Sequence, residues 1–350
     1  RAFGERAGLF IGLLVICYVV ITASAIALGF GRYFSSLFGI EYLLGIICLF
    51  IFLSFIMVYG IKESARLASI ISLIEVTGLL IVIYTGFPYL GTVNYFEAPD
   101  LAGVFEASTL IFFAFLGFED VVRLSQETKE AEKTTPKALL IAIFFTVLLY
   151  MCVAVTAVSV LDFRILGLSN VPLADVVAVS LGSDAFVLMS WIALFSTMNT
   201  VLVVMLGGSR IVYGMADAGS LPESLSRVHH RYHTPWVAIF GVVCFSALFV
   251  LLGDIAVVAN ISNFMIFIVF FMVNLSLIKL RYTDPDRNRP YKVPLNIGRF
   301  PLLPFLGALS AVFLFFQLSL EVIIYGLVIS GIALLIALLR TRKKHLSSTY

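Results

Sequence analysis

The sequence predicts an all-α, polytopic membrane helix bundle with ten transmembrane segments. Three observations lead there. The 350 residues are 61% hydrophobic and 13% charged, with a mean hydropathy of +1.07. Soluble domains are roughly 45–50% apolar and about 25% charged. The apolar residues gather into ten stretches near the length that spans the bilayer, about 20 residues at 1.5 Å each across about 30 Å of hydrocarbon. Finally, the basic residues fall almost entirely on one side of those stretches. A water-soluble chain this apolar could not cover its surface with polar groups. That excludes a cytosolic enzyme, a secreted domain and a nucleic-acid binder. The net charge of +2 is also too small to draw polyanions.

The segments run near 8–31, 42–60, 67–90, 103–120, 137–161, 185–209, 236–253, 255–279, 301–320 and 322–340. Hairpins as tight as Gly253-Asp254 and Ser319-Leu320-Glu321 leave no room for inserted domains. Residues 1–350 therefore read as one transmembrane domain, a membrane bundle to 340 and a cytoplasmic tail over 341–350. The longest outer stretch, 162–184, carries Pro172 and then an apolar–polar pattern, which predicts a short helix lying on the bilayer interface. With the N-terminus inside, every Lys and Arg except Arg32 and Arg164 falls on the inner side. Cytoplasmic loops retain basic residues during insertion, so this split supports ten crossings with both ends cytoplasmic. Cys17, Cys48, Cys152 and Cys244 lie inside apolar stretches with no CxxC pair. They read as buried small hydrophobes in a reducing or lipid setting, not a disulfide frame or zinc site. The chain starts at Arg1 rather than Met and reads as part of a longer protein.

Few polar groups interrupt these segments, and an ionisable group inside a bilayer is costly enough to mark function. Glu75 lies nine residues beyond Arg66, the inner start of the third segment. That places it about 13 Å deep, beyond the reach of a short carboxylate to snorkel. A carboxyl that exchanges a proton between two access states is what proton coupling requires. The same oxygens also suit Na⁺, or a packing hydrogen bond to a neighbouring helix.

Glu119 and Asp120 interrupt the fourth segment, whose apolar run Gly103 to Phe118 is about 24 Å of helix and too short to span. A short, Gly-interrupted segment points to a broken helix, whose freed backbone groups a polar ligand or ion satisfies. The stretch Phe112 to Glu119 reads FFAFLGFE. Gly117 supplies freedom in φ and room for a ligand. Phe113, Phe115 and Phe118, with Ala114 and Leu116 between them, are candidate pocket walls. The bland alternative has Gly117 serving close helix packing and the Phe side chains facing lipid.

The sixth segment carries the polar patch Ser196-Thr197-Met198-Asn199-Thr200. Its oxygens are suited to a cation site or to Glu75, or equally to interhelical bonds of about 0.6 kcal/mol each. Tyr18 and Thr22 share a face of the first segment at i, i+4 spacing. They are candidate lining residues, with packing as the competing role. His229, His230 and His233 sit among basic residues in an inner loop and read as solvated rather than metal-binding. The cluster Arg340 to Lys344 reads as an anchor at anionic headgroups. No GxSxG, HExxH, Walker or dinucleotide motif occurs in a suitable setting.

Three stretches resemble the amino acid–polyamine–organocation permeases. Phe112 to Glu119, followed by Glu127 to Lys137, looks like that family's sixth helix and its loop. Ser209 to Ala216, Ala218 to Pro222 and Thr234-Pro235 are similar to the exit from its eighth helix. Leu280-Arg281, Asp284-Pro285 and Arg289 to Pro294 look like the loop after its tenth.

The resemblance implies a fold of two inverted five-helix repeats, usually followed by two more helices. It also implies transport of an amino acid or amine by alternating access, often driven by H⁺, in the cell membrane. The substrate amino group is expected at exposed carbonyls of the break, which maps onto Ala114 to Gly117, with the aromatic at Phe113 closing over it. Glu75 occupies a position that is lysine in several members and linked there to proton coupling. Thr200 is expected nearby. Arg1 to Gly8 looks like the entry to the family's third helix, so the ten segments correspond to helices three to twelve with an incomplete first repeat. The chain as given is then expected not to transport on its own. The expected partners are a small-molecule substrate and the lipid bilayer, with no nucleic acid. No cofactor is expected beyond a coupling ion, H⁺ first and Na⁺ second. The rival readings are a Na⁺-coupled amino acid or polyamine transporter, a non-transporting sensor, a channel and an inactive product.

Overall fold

The computed structural model describes residues 2–60, 65–97, 101–119, 130–286, 289 and 291–347. Arg1, Lys62, Asp120, Arg123, Glu127 to Lys129 and Arg287 lie outside these residues. So do the side chains of Arg66 and of Arg342 to Lys344.

Helices form wherever the apolar runs predict them. They are α1 (Gly4–Phe38), α2 (Tyr42–Tyr59), α3 (Ala65–Gly86), α4 (Leu101–Ala114), α5 (Ala131–Val160), α6 (Phe163–Leu168), α7 (Pro172–Leu181), α8 (Ser183–Asp217), α9 (Trp236–Val250), α10 (Ile255–Thr283), α11 (Leu302–Phe315) and α12 (Leu320–Ser347). Among the described residues seven helices are long and apolar enough to cross a membrane: α1, α2, α3, α5, α8, α10 and α12. The other predicted spans, α4, α9 and α11, are 14, 15 and 14 residues.

The helix ends follow from local chemistry. Gly39 and Gly60 stop α1 and α2 in the left-handed conformation, each N–H closing back on the carbonyl four residues earlier. Asp254 caps α10 by accepting the Val257 N–H at 3.0 Å. Arg289 closes the other end of α10, its guanidinium donating to the Leu280 carbonyl at 3.0 Å and to the Asp284 carbonyl. A cation at a helix C-terminus satisfies orphan carbonyls and complements the dipole. A two-residue hairpin, Asn296–Ile297 on Phe300–Pro301, follows before α11.

α1 is the central strut, touching α2, α8, α9, α10 and α12. Leu14, Ile21, Ala23 and Ala27 on it are fully buried. Hydroxyls cross-tie it to its neighbours. Ser24 donates to the Ser246 carbonyl at 2.8 Å while Ser246 donates to the Val20 carbonyl at 3.0 Å.

α2 shows why the bundle needs lipid. Its inner stripe Ile46, Leu49, Leu53 and Met57 is buried, yet its outer stripe Leu44, Ile47, Ile51 and Phe55 is exposed and equally apolar. A helix apolar all round belongs in a membrane. α5 likewise exposes Leu140, Phe144 and Phe145.

Two expectations need correcting. The outer stretch 162–184 forms two helices, α6 and α7, rather than one interfacial helix. Ala174, Val176 and Val177 of α7 are buried in a second core with Val82 of α3, Ala157 of α5 and Met189 of α8. Cys48, Cys152 and Cys244 are exposed on outer helix faces rather than buried, and Cys17 is half-buried; all four are unpaired. α12 runs on as helix to Ser347.

Candidate functional site

The helical backbone of α4 ends at Ala114. Its last N–H bonds tighten to three-residue steps, Phe115 to the Phe112 carbonyl at 3.0 Å and Leu116 to Phe113 at 3.2 Å. Residues 115–118 form a turn, and Glu119 itself is again helical. Gly117 sits at φ +111°, a conformation that side-chain-bearing residues rarely adopt. A Cβ built on it would meet nothing within 4 Å. Gly117 thus permits an irregular backbone beside open space and does not serve tight helix packing.

Three side chains hold the break. Glu119 accepts the Gly117 N–H on Oε2 at 3.0 Å and the Tyr18 hydroxyl on Oε1 at 2.6 Å. Tyr150 of α5 donates to the Ala114 carbonyl at 3.3 Å. Buried or half-buried irregular backbone at membrane depth survives only with such partners or beside a cavity. A cavity of about 420 Å³ is there, walled by Tyr18, Thr22, Phe113, Gly117, Glu119, Tyr150, Asn199 and Thr200, with Val19, Ile26, Ala114, Leu116, Val203 and Val204. Its size is that of a small-molecule pocket. Its polar groups are one carboxyl, hydroxyls and an amide, and its remaining walls are mainly aliphatic.

Nine of the thirteen candidate residues meet in this cavity: Tyr18, Thr22, Phe113, Ala114, Leu116, Gly117, Glu119, Asn199 and Thr200. Thr22 lines it while its hydroxyl is engaged with Ser262 at 2.6 Å. Four candidates lie elsewhere. Phe115 packs on Tyr150 with ring centroids 5.3 Å apart, and Phe118 packs on Phe270 at 5.7 Å. Thr197 turns its hydroxyl back to the carbonyls of Ala193 and Leu194. Glu75 stands beside the cavity, facing Ser196 and Asn199 of α8, with Tyr150 within electrostatic reach. Its Oε1 is buried without a hydrogen-bond partner. Asn199 and Tyr150 therefore link the Glu75 carboxyl to the cavity wall.

Sequence reasoning missed Tyr150, whose only signal is a hydroxyl in an apolar run. It also missed Asn260 and Asn263, which tie α4 to α10 at Thr109. Asn263, fully buried, donates to the Thr109 carbonyl at 2.6 Å, and Thr109 donates to Asn260 Oδ1 at 3.1 Å. In the loop between α8 and α9, His229 spends Nδ1 on the N–H groups of Arg231 and Tyr232.

An all-α bundle with lipid-suited outer faces is a polytopic membrane protein, and this one carries a cavity with polar groups at a helix break. A profile of the amino acid permease family matches residues 1–338. The chain is 30% identical over 364 residues to the branched-chain amino acid permease BcaP of Bacillus subtilis, covering 97% of this chain and 77% of that protein. It is 26% identical to the methylthioribose transporter of the same species, over 91% and 72% of the two chains. It is 25% identical to BcaP of Lactococcus lactis, over 85% and 66%. The chain belongs to the amino acid permease family, a family of membrane transporters and not of enzymes.

Proposed function

We propose that the protein is a secondary transporter that moves an amino acid by alternating access, coupled to protons through Glu75. One observation carries the reading: a cavity of small-molecule size opens where α4 breaks at Ala114 to Gly117. The Glu119 carboxyl and the backbone of the break suit an ammonium group. Val19, Ile26, Val203, Val204 and Phe113 suit an aliphatic side chain. A neutral, branched substrate fits both, and two relatives are named branched-chain amino acid permeases. The charge asymmetry of the loops supports residence in the cell membrane with both ends of this chain cytoplasmic.

In the proposed cycle substrate binds at the break, Phe113 covers it, and the bundle rocks to open the other side. Glu75 takes a proton in one access state and releases it in the other. Asn199 and Tyr150 relay its charge state to the cavity. The oxygens of Glu75, Ser196 and Asn199 also suit Na⁺, the second reading. Leucine uptake into proteoliposomes separates the two. An inside-alkaline pH gradient should drive uptake in choline medium, and Glu75→Gln should abolish that drive while the protein still inserts. Uptake that follows Na⁺ instead, or a gradient response that survives Glu75→Gln, contradicts the proton assignment.

A further inference from the structure

A second, larger cavity of about 720 Å³ lies at the end of the bundle where α1 terminates. It is separate from the cavity at the break and shares no residue with it. Its walls come from Arg32 and Ser36 at the end of α1, Tyr42 of α2, the Ser169–Asn170 turn and Asp175 of α7.

The charges in it are unusual for this molecule. Arg32 and Arg164 are the two basic residues that the charge pattern places outside. Arg164 is neutralised, 3.8 Å from Glu97 and 3.5 Å from Asp162. Arg32 is half-buried and makes no ion pair or hydrogen bond among the described residues. A partly desolvated guanidinium without an anion is costly. Asp175, which Ser169 aims, lines the same cavity. The Ser169 hydroxyl donates to Asp175 Oδ2 and accepts the Val171 N–H at 3.0 Å. Among the described residues the second carboxylate oxygen has no hydrogen-bond donor. A cation and an anion thus line one cavity, and no ion pair joins them among the described residues.

We propose that this cavity is an outward-facing second site for a small zwitterion of the α-amino-acid type, with Arg32 taking the carboxylate and Asp175 the ammonium. Planar guanidinium pairs with carboxylate through two parallel bonds, which makes Arg32 the determinant of the acid end. The choice of probe rests on the transport reading above; the site itself does not. A lipid headgroup bearing an ammonium and a phosphate shares this chemistry, and the test separates it from a free amino acid.

Ser36→Cys, in a protein whose native cysteines are replaced, reports occupancy through its rate of reaction with a membrane-impermeant thiol reagent. The full-length protein is placed in phosphatidylcholine nanodiscs and exposed to a mixture of the proteinogenic L-amino acids. Labelling should slow about tenfold once ligand reaches roughly ten times its dissociation constant. The protection should persist when Gly117→Leu fills the other cavity. Arg32→Gln should shift the protecting concentration upward by about tenfold or more. A rate that amino acids leave unchanged overturns the proposal, as does protection by phosphatidylethanolamine alone. Leucine uptake into proteoliposomes holding the same protein keeps the two readings apart. Uptake without protection removes the second site and leaves the transporter, and protection without uptake does the reverse.

Discussion

Gly117, Glu119 and Tyr18 make one unit. The glycine permits φ +111°, and the carboxylate two residues on collects both the glycine N–H and the tyrosine hydroxyl. Gly117→Ala should destabilise the protein by about 1–2 kcal/mol, because an L side chain is strained at positive φ. Gly117→Leu should go further and abolish substrate binding, because its side chain enters the open space beside the break. Equilibrium binding and thermal unfolding of the two variants check this. An alanine variant as stable as the parent would remove the backbone argument. At this scale the sequence was readable wherever a residue broke the local rule. Gly117 and Glu119 interrupt an apolar run, and Glu75 is a carboxyl that no loop can rescue. Tyr150 broke no rule, since tyrosine is at home in apolar helices, and only the fold brings its hydroxyl to the Ala114 carbonyl from α5.

Among elements, the helices were legible because hydropathy alone places them. The role of α7 was not. Its apolar–polar alternation suits a bilayer surface and a protein surface equally, and only the packing of Val176 and Val177 against α3, α5 and α8 decides between them. Nor does periodicity reveal α1 as the strut, because its apolar residues continue all round. Packing between helices in a membrane depends on close approach at small residues. Gly326 of α12 is such a place: a Cβ there would lie 2.4 Å from the ring of Phe264, a fully buried side chain of α10. Gly326→Leu should therefore cost about 1–3 kcal/mol by overpacking. The half-buried Cys17 provides the readout, becoming reactive to thiol probes at a lower temperature in the variant. An unchanged transition would mean that α10 and α12 pack more loosely than their geometry states.

For the whole molecule, the positive charge bias predicts the orientation of the bundle. Ser36→Cys should react with an impermeant thiol reagent in intact cells, while His230→Cys should react only after permeabilisation. The opposite pattern would invert the topology, exchanging the two faces of the bundle.

Movement of a solute through the cavity at the α4 break is tested most directly by counterflow. Proteoliposomes loaded with unlabelled leucine should transiently accumulate labelled leucine above its outside level. Gly117→Leu, inserted to the same extent, should not. Labelled leucine that binds the protein yet never accumulates would contradict transport and leave a ligand-binding sensor. Full accumulation by Gly117→Leu would put the substrate path elsewhere.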